Sequence, residues 1–120
     1  MREIEFRIWH PKWDRMIYSD RVNCYEKRDF YPFIFAIGFS HYPKDGGWKL
    51  MQFTGLNDKS GKEIYEKDII TIDWSEKAWQ IVRNYAQFDI QCDSQQMSLN
   101  DCDPEEIGII GNIHENPELL

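Results

Sequence analysis

The 120-residue chain carries 21 acidic against 14 basic side chains, a net charge of −7, with 42% hydrophobic and 15% aromatic residues, five of them Trp. That length fits one domain, 1–120, with a real hydrophobic core, and ring burial on this scale argues against disorder. The acidic balance repels a phosphate backbone, and Lys and Arg form no run to offset it, so a general nucleic-acid binder is disfavoured.

The opening Met1-Arg2-Glu3-Ile4-Glu5 has no apolar run for a signal peptide, and nowhere do about 18 apolar residues stand together, so a soluble intracellular protein is expected. From Glu3 to Trp9 the pattern alternates: Ile4, Phe6 and Ile8 point one way and Glu3, Glu5 and Arg7 the other, as in a strand buried on one face. His10-Pro11-Lys12-Trp13-Asp14-Arg15 breaks it, and Met16 to Tyr18 return as the second arm of a hairpin. Ser19 to Arg28 is polar and mixed. Asp29 to Phe39 is densely apolar and aromatic, which favours a strand, and His41 to Gly47 is a loop.

Trp48 to Phe53 re-enters as a strand and leads into Phe53 to Ile70, where apolar positions are split by two polar clusters and the chain must reverse twice. Asp58-Lys59-Ser60-Gly61 has the first residue and final Gly of a type I turn completed in the left-handed region. Lys62 to Tyr65 form the partner strand, Glu66-Lys67-Asp68 the second reversal, and the β-branched Ile69-Ile70-Thr71-Ile72 a central strand. Asp73 to Lys77 is a polar link. For Ala78 to Cys92 a helix puts Ala78, Val82, Tyr85 and Ala86 on one face, whereas strands alternate Trp79, Ile81, Arg83 and Tyr85 with Gln80, Val82 and Asn84, then Phe88, Ile90 and Cys92 with Asp89 and Gln91. The β-rich context favours the hairpin.

Asp93 to Asn100 is loop-like, with Met97 and Leu99 candidates for a short edge strand. Asp103 caps a short helical turn begun by Pro104, Ile107 to Ile113 is β-like, and Asn116 caps a last turn begun by Pro117. Three cysteines, Cys24, Cys92 and Cys102, are odd in number and lack Cys-x-x-Cys spacing, which points to reduced buried thiols.

Leu50-Met51-Gln52-Phe53-Thr54-Gly55-Leu56, Asp58, Gly61-Lys62-Glu63-Ile64-Tyr65-Glu66 and Asp68-Ile69, closed by Ile110-Gly111-Asn112-Ile113-His114-Glu115-Asn116-Pro117-Glu118-Leu119-Leu120, together resemble the YopX-like family of phage and prophage proteins. The start Arg2-Glu3-Ile4-Glu5-Phe6-Arg7 with Trp9 is similar too. Segments 19–49 and 75–103 match no motif. The resemblance implies a phage- or prophage-encoded accessory protein in the bacterial cytoplasm. It carries over no catalytic residue, cofactor or metal. Its structural motif falls on Thr54, Gly55, Leu56, Asp58, Gly61, Ile64, Tyr65, Asp68, Gly111, Asn112, Asn116 and Pro117. The family usually has Gly where this chain has Lys67, implying a positive φ there and strain on the order of 1 kcal/mol.

Asp58, Glu63, Glu66 and Asp68 offer paired carboxylates for acid–base chemistry or a hard metal, but acids in turns more often cap or face solvent. His10, His41 and His114 with the cysteines lack zinc spacing. Trp9, Trp48, Tyr65, Trp74, Trp79 and Phe88 suit a stacking platform for single strands, yet such platforms sit in basic grooves, and core packing accounts for them better. Gly108 and Gly111 read as a bulge or close-packing site. The expected fold is mostly β: a bent sheet closing into a small SH3-like barrel built on residues 50–92, with minor short helices. The expected function is a non-enzymatic protein-interaction module with a phage or host partner, self-associating through strand edges. A nucleic-acid-binding small β-barrel is the alternative and a metal-dependent hydrolase the least favoured. Function is expected in segments 19–49 and 75–103.

Overall fold

The computed structural model describes residues 6–11, 14–18 and 49–120. The apolar strand at 29–39, the loop at 41–47, and Ile4, Cys24, His41 and Trp48 lie outside the described residues. Of the described residues 63% are in strands and none is in an α-helix. None of their helical segments is long and apolar enough to cross a membrane. The chain divides into two compact units, 1–52 and 53–120.

In the first unit β1 (Phe6–His10) pairs antiparallel with β2 (Arg15–Tyr18), His10 opposite Arg15, so the break at Pro11 makes the expected hairpin. On its other side β1 pairs with the first residues of β3 (Lys49–Asn57), Phe6 opposite Gln52 and Trp9 opposite Lys49. Ile8 and, opposite it, Ile17 are buried, as alternation requires, but so are Arg7 at 3% exposure, with the buried Met51 opposite it, and His10 at 5%. Arg7 does not face solvent: β1 is buried on both faces, Ile8 on one and Arg7 with Trp9 on the other, and alternation tells only which residues tolerate water.

In the second unit the rest of β3 pairs with β4 (Glu63–Tyr65), with a bulge between Phe53 and Asn57 where Gly55 takes φ +90°. The turn between them is the expected one: the Gly61 amide donates to the Asp58 carbonyl at 2.9 Å, and Gly61 itself sits at φ +87°. The second reversal then delivers the chain to a different sheet. β5 (Asp68–Ile72), β6 (Ser75–Asn84), β7 (Gln87–Cys92), β8 (Gln95–Ser98) and β9 (Ile107–Asn112) lie in the order β8-β7-β6-β5-β9, every pair antiparallel. Ile69 to Ile72 are thus central, and residues 78–92 are a hairpin. The link after β5 is only Asp73 and Trp74, with Ile72 opposite Ser75, because cross-strand pairing extends β6 through its polar first residues. Asp93 to Asn100 is likewise more ordered than its polarity suggests, a two-residue turn feeding β8.

One face of this sheet builds the core with Ile70, Ile72, Trp79, Ile81, Phe88, Ile90, Cys92 and Ile107, and Ile64 of β4, Leu99 and Cys102 pack into the same cluster. Burying each large side chain contributes roughly 1.5–3 kcal/mol. The short helical turns are 3-10: Leu99–Asp101, Pro104–Glu106 capped by the Asp103 side chain onto the Glu105 amide, and Pro117–Leu119. Asn116 precedes the last of these but does not cap it with its side chain.

Lys67 has φ +70°. Its amide donates to the Ile81 carbonyl at 2.9 Å and its carbonyl accepts from Ile113 at 3.0 Å, so the strained residue is held from both sides. Lys67→Gly is therefore expected to relieve strain by about 1 kcal/mol, partly offset by the added freedom of the unfolded chain. A melting temperature raised by roughly 2 °C checks it; an unchanged or lower value counts against strain at this turn.

Candidate functional site

The carboxylates that attract attention in the sequence are spent on the main chain. Asp58, 7% exposed, accepts from the amides of Ser60 and Lys62 and the Ser60 hydroxyl through Oδ1, and from Ile109 through Oδ2. Burial alone would push its carboxyl up, but these donors outweigh it and hold the group below the ordinary 3.8. Asp68 accepts from the Tyr65 amide at 2.8 Å and is 2% exposed. Thr54 is fully buried, its hydroxyl donating to the Ile64 carbonyl and accepting from Leu56. Tyr65 packs on Phe53 with ring centroids 5.6 Å apart. Glu63 and Glu66 are half-buried, and no cluster of three metal-ligating side chains occurs among the described residues.

The closing motif is a second hydrogen-bonded device. The Asn112 carboxamide oxygen accepts from the amides of His114 and Glu115, and its nitrogen donates to the Glu115 carboxylate. The Asn116 amide bonds back to the Asn112 carbonyl at 2.8 Å, and the Asn116 carboxamide accepts from the Asn112 amide. Gly111 makes room for it, since a Cβ there would land on the Asn116 side chain. β9 carries a bulge at this point, with Gly111 opposite Ile69 and Ile109 opposite Ile70. Pro117 then starts the turn that presents Leu119 and Leu120, 38% and 58% exposed.

These leucines form one wall of a cavity of about 470 Å³ whose floor is the outer face of β6 and β7. Gln80 lies opposite Gln91 across the two strands, and both line the cavity along with Ala78. At its rim Lys77 and Asp93 form an ion pair at 3.0 Å. The hydrogen bond that Lys77 Nζ donates to Asp93, together with the Asp93 charge, raises the Lys77 ammonium pKa above the ordinary 10.5. Both partners are exposed, so the pair stabilises the fold little.

Further along the same face the amides are engaged. Asp89, 3% exposed, accepts from the carboxamides of Asn84, Gln87 and Gln96 at 2.8–2.9 Å. The Gln96 bond lowers its pKa most, burial opposes, and the other two amides add to the lowering. Asp89→Asn would set an amide against three amide donors, and we expect a loss of about 1 kcal/mol, read from the urea midpoint at neutral pH. Because the folded pKa lies below the ordinary 3.8, the Asp89 contribution is present above that value and disappears as the pH falls through the folded one.

The hairpin tip between β6 and β7 displays Tyr85, 93% exposed and at φ +57°, with Arg83 Nε donating to its carbonyl at 3.1 Å. Trp74 is 53% exposed and edge-on to Trp79 at 5.8 Å. Of the other aromatic candidates, Trp9, Tyr65, Trp79 and Phe88 are buried. The thiols of Cys92 and Cys102 are buried and free, and burial pushes the Cys102 pKa up, so slow alkylation of Cys102 in the folded protein is expected. The sequence reading missed Asp89, Gln80, Gln91 and Tyr85. Its alternation put Gln80, Asp89 and Gln91 away from the core, but only cross-strand register says which amides meet a carboxylate and which line a cavity.

The family model described as YopX protein matches residues 5–120. Protein EF1440 from Enterococcus faecalis has a similar crystal structure, at 22% identity and TM-score 0.64, covering 100% of this chain and 99% of that one. The crystal structure of protein yopX from Bacillus subtilis is similar at 18% identity and TM-score 0.60, covering 97% of each chain. No curated protein matches.

Proposed function

From the premise that this chain belongs to the YopX protein family, we propose that it is a phage- or prophage-encoded accessory protein that works without catalysis, by binding another protein in the bacterial cytoplasm. The observation that carries this reading is the outer face of the β6–β7 hairpin. It exposes Tyr85 at a strained tip and borders a cavity with uncommitted amides and leucines, while Asp58, Asp68 and Asp89 hold the fold together. Tyr and Arg are, with Trp, the side chains enriched among the residues that anchor protein interfaces.

Two further points belong to the same reading. The tie from the 58–61 turn to β9, Lys59 amide to Ile107 carbonyl at 2.9 Å and Ile109 amide to Asp58, supports a sheet curling toward SH3-like closure. Among the described residues β8 ends its sheet, which supports self-association by edge pairing.

A photoreactive phenylalanine analogue at position 85, introduced into the protein in bacterial cells, tests the function. Adducts to one non-self protein, identified by mass spectrometry, are expected. Recovery of self-adducts alone overturns the reading.

A further inference from the structure

Five side-chain amides sit on the outer face of β6, β7 and β8, and they divide into two sets. Asn84, Gln87 and Gln96 are committed to Asp89. Gln80 and Gln91, opposite each other across β6 and β7, have no hydrogen-bond partner among the described residues, and both line the cavity. Each of these two carboxamides offers two donors and one acceptor, the complement of a peptide C=O and N–H.

The rest of the lining narrows the chemistry. Lys77 and Asp93 neutralise each other at the rim, so the lining side chains among the described residues carry no net charge to attract a phosphate or a carboxylate. Leu119 and Leu120 supply an apolar part of the lining. A volume of about 470 Å³ falls in the range of ligand pockets, roughly 300–1,000 Å³.

We infer that this cavity binds a short neutral peptide segment of the partner protein, its main chain hydrogen-bonded to Gln80 and Gln91 and an apolar side chain set against Leu119 and Leu120. The site rests on the protein-binding reading above and gives it a recognition chemistry. Gln91 is exposed and Gln80 half-buried, so replacing them removes recognition groups without emptying the core. Gln91→Glu keeps the shape but replaces donors with a charge.

The test is panning of a displayed random heptapeptide library on the wild-type protein, with Gln80→Ala/Gln91→Ala and Gln91→Glu as comparison targets. Thermal melts of both variants, expected within 2 °C of wild type, establish that they are folded. Enrichment of uncharged peptides bearing an apolar residue is expected on wild type, with at least tenfold weaker binding of the synthesised peptide to either variant. That peptide is expected to shift the Gln80 and Gln91 side-chain amide signals in NMR spectra. No enrichment on wild type, equal binding to the folded variants, or preferential binding of uridine in the same NMR titration overturns the site. If position 85 still cross-links to a partner while the variants bind peptide as wild type does, the protein-binding reading stands and this site alone falls.

Discussion

Asp58→Ala is expected to destabilise the protein by about 3 kcal/mol, lowering the melting temperature by roughly 12 °C. The carboxylate accepts four hydrogen bonds at 2.8–3.1 Å from Ser60, Lys62 and Ile109. Water can replace it at Ser60 and Lys62, which are exposed, but less readily at the half-buried Ile109 amide. Deleting the acceptor therefore strands a donor and unfastens the turn from β9 together. Asp58→Asn keeps one oxygen in place and should lose about half as much. The difference between wild type and Asp58→Ala should be full above pH 3.8, the ordinary value, and shrink as the pH falls below it through the depressed folded pKa. Hydrogen exchange at the Ile109 amide gives a local check: protection that survives in Asp58→Ala would show that another group anchors β9.

Gly111→Ala is expected to lose about 2 kcal/mol, because the added methyl overlaps the Asn116 side chain. Asn116 cannot turn away without releasing the Asn112 amide, which it accepts at 3.3 Å, and with it the segment that presents Leu119 and Leu120. Asn116→Ala removes the two atoms nearest the new methyl. In the double variant the losses should therefore sum to less than the two single losses, by about 1 kcal/mol in a denaturant-melt cycle. Additive losses would mean that Gly111 is required for another reason, such as the bulge in β9.

Much of the second unit can be read from local chemistry. Asp58 through Gly61, the Asp103–Pro104 start and the hairpin at 78–92 follow from turn residues and period-2 alternation, which depend on nearest neighbours in sequence. Lys67 at φ +70° followed from the family resemblance, since a position usually held by Gly marks a left-handed backbone. Asn116 was misread as a side-chain cap because its neighbours are those of a helix start, while its true partner, the Asn112 amide, lies across a turn. The polar stretches 73–77 and 93–100 read as loops, apart from the short edge strand that Met97 suggests in the second, because strand residues on a solvent-facing side carry no apolar signal. Their order comes from the strands beside them.

By itself, then, the sequence determined a mostly β chain, the double reversal at Phe53 to Ile70 and most of the apolar side chains of its core, properties set by local backbone preference and apolar pattern, while its motifs carried the family resemblance. Tertiary structure alone decided that the second reversal changes sheets, that Asp58 reaches 51 residues along the chain to Ile109, and that Gln80 and Gln91 face a cavity while Gln96 serves Asp89. The physical reason is register: strand pairing places side chains distant in sequence within hydrogen-bonding reach, and no local property of a glutamine records which neighbour it will meet.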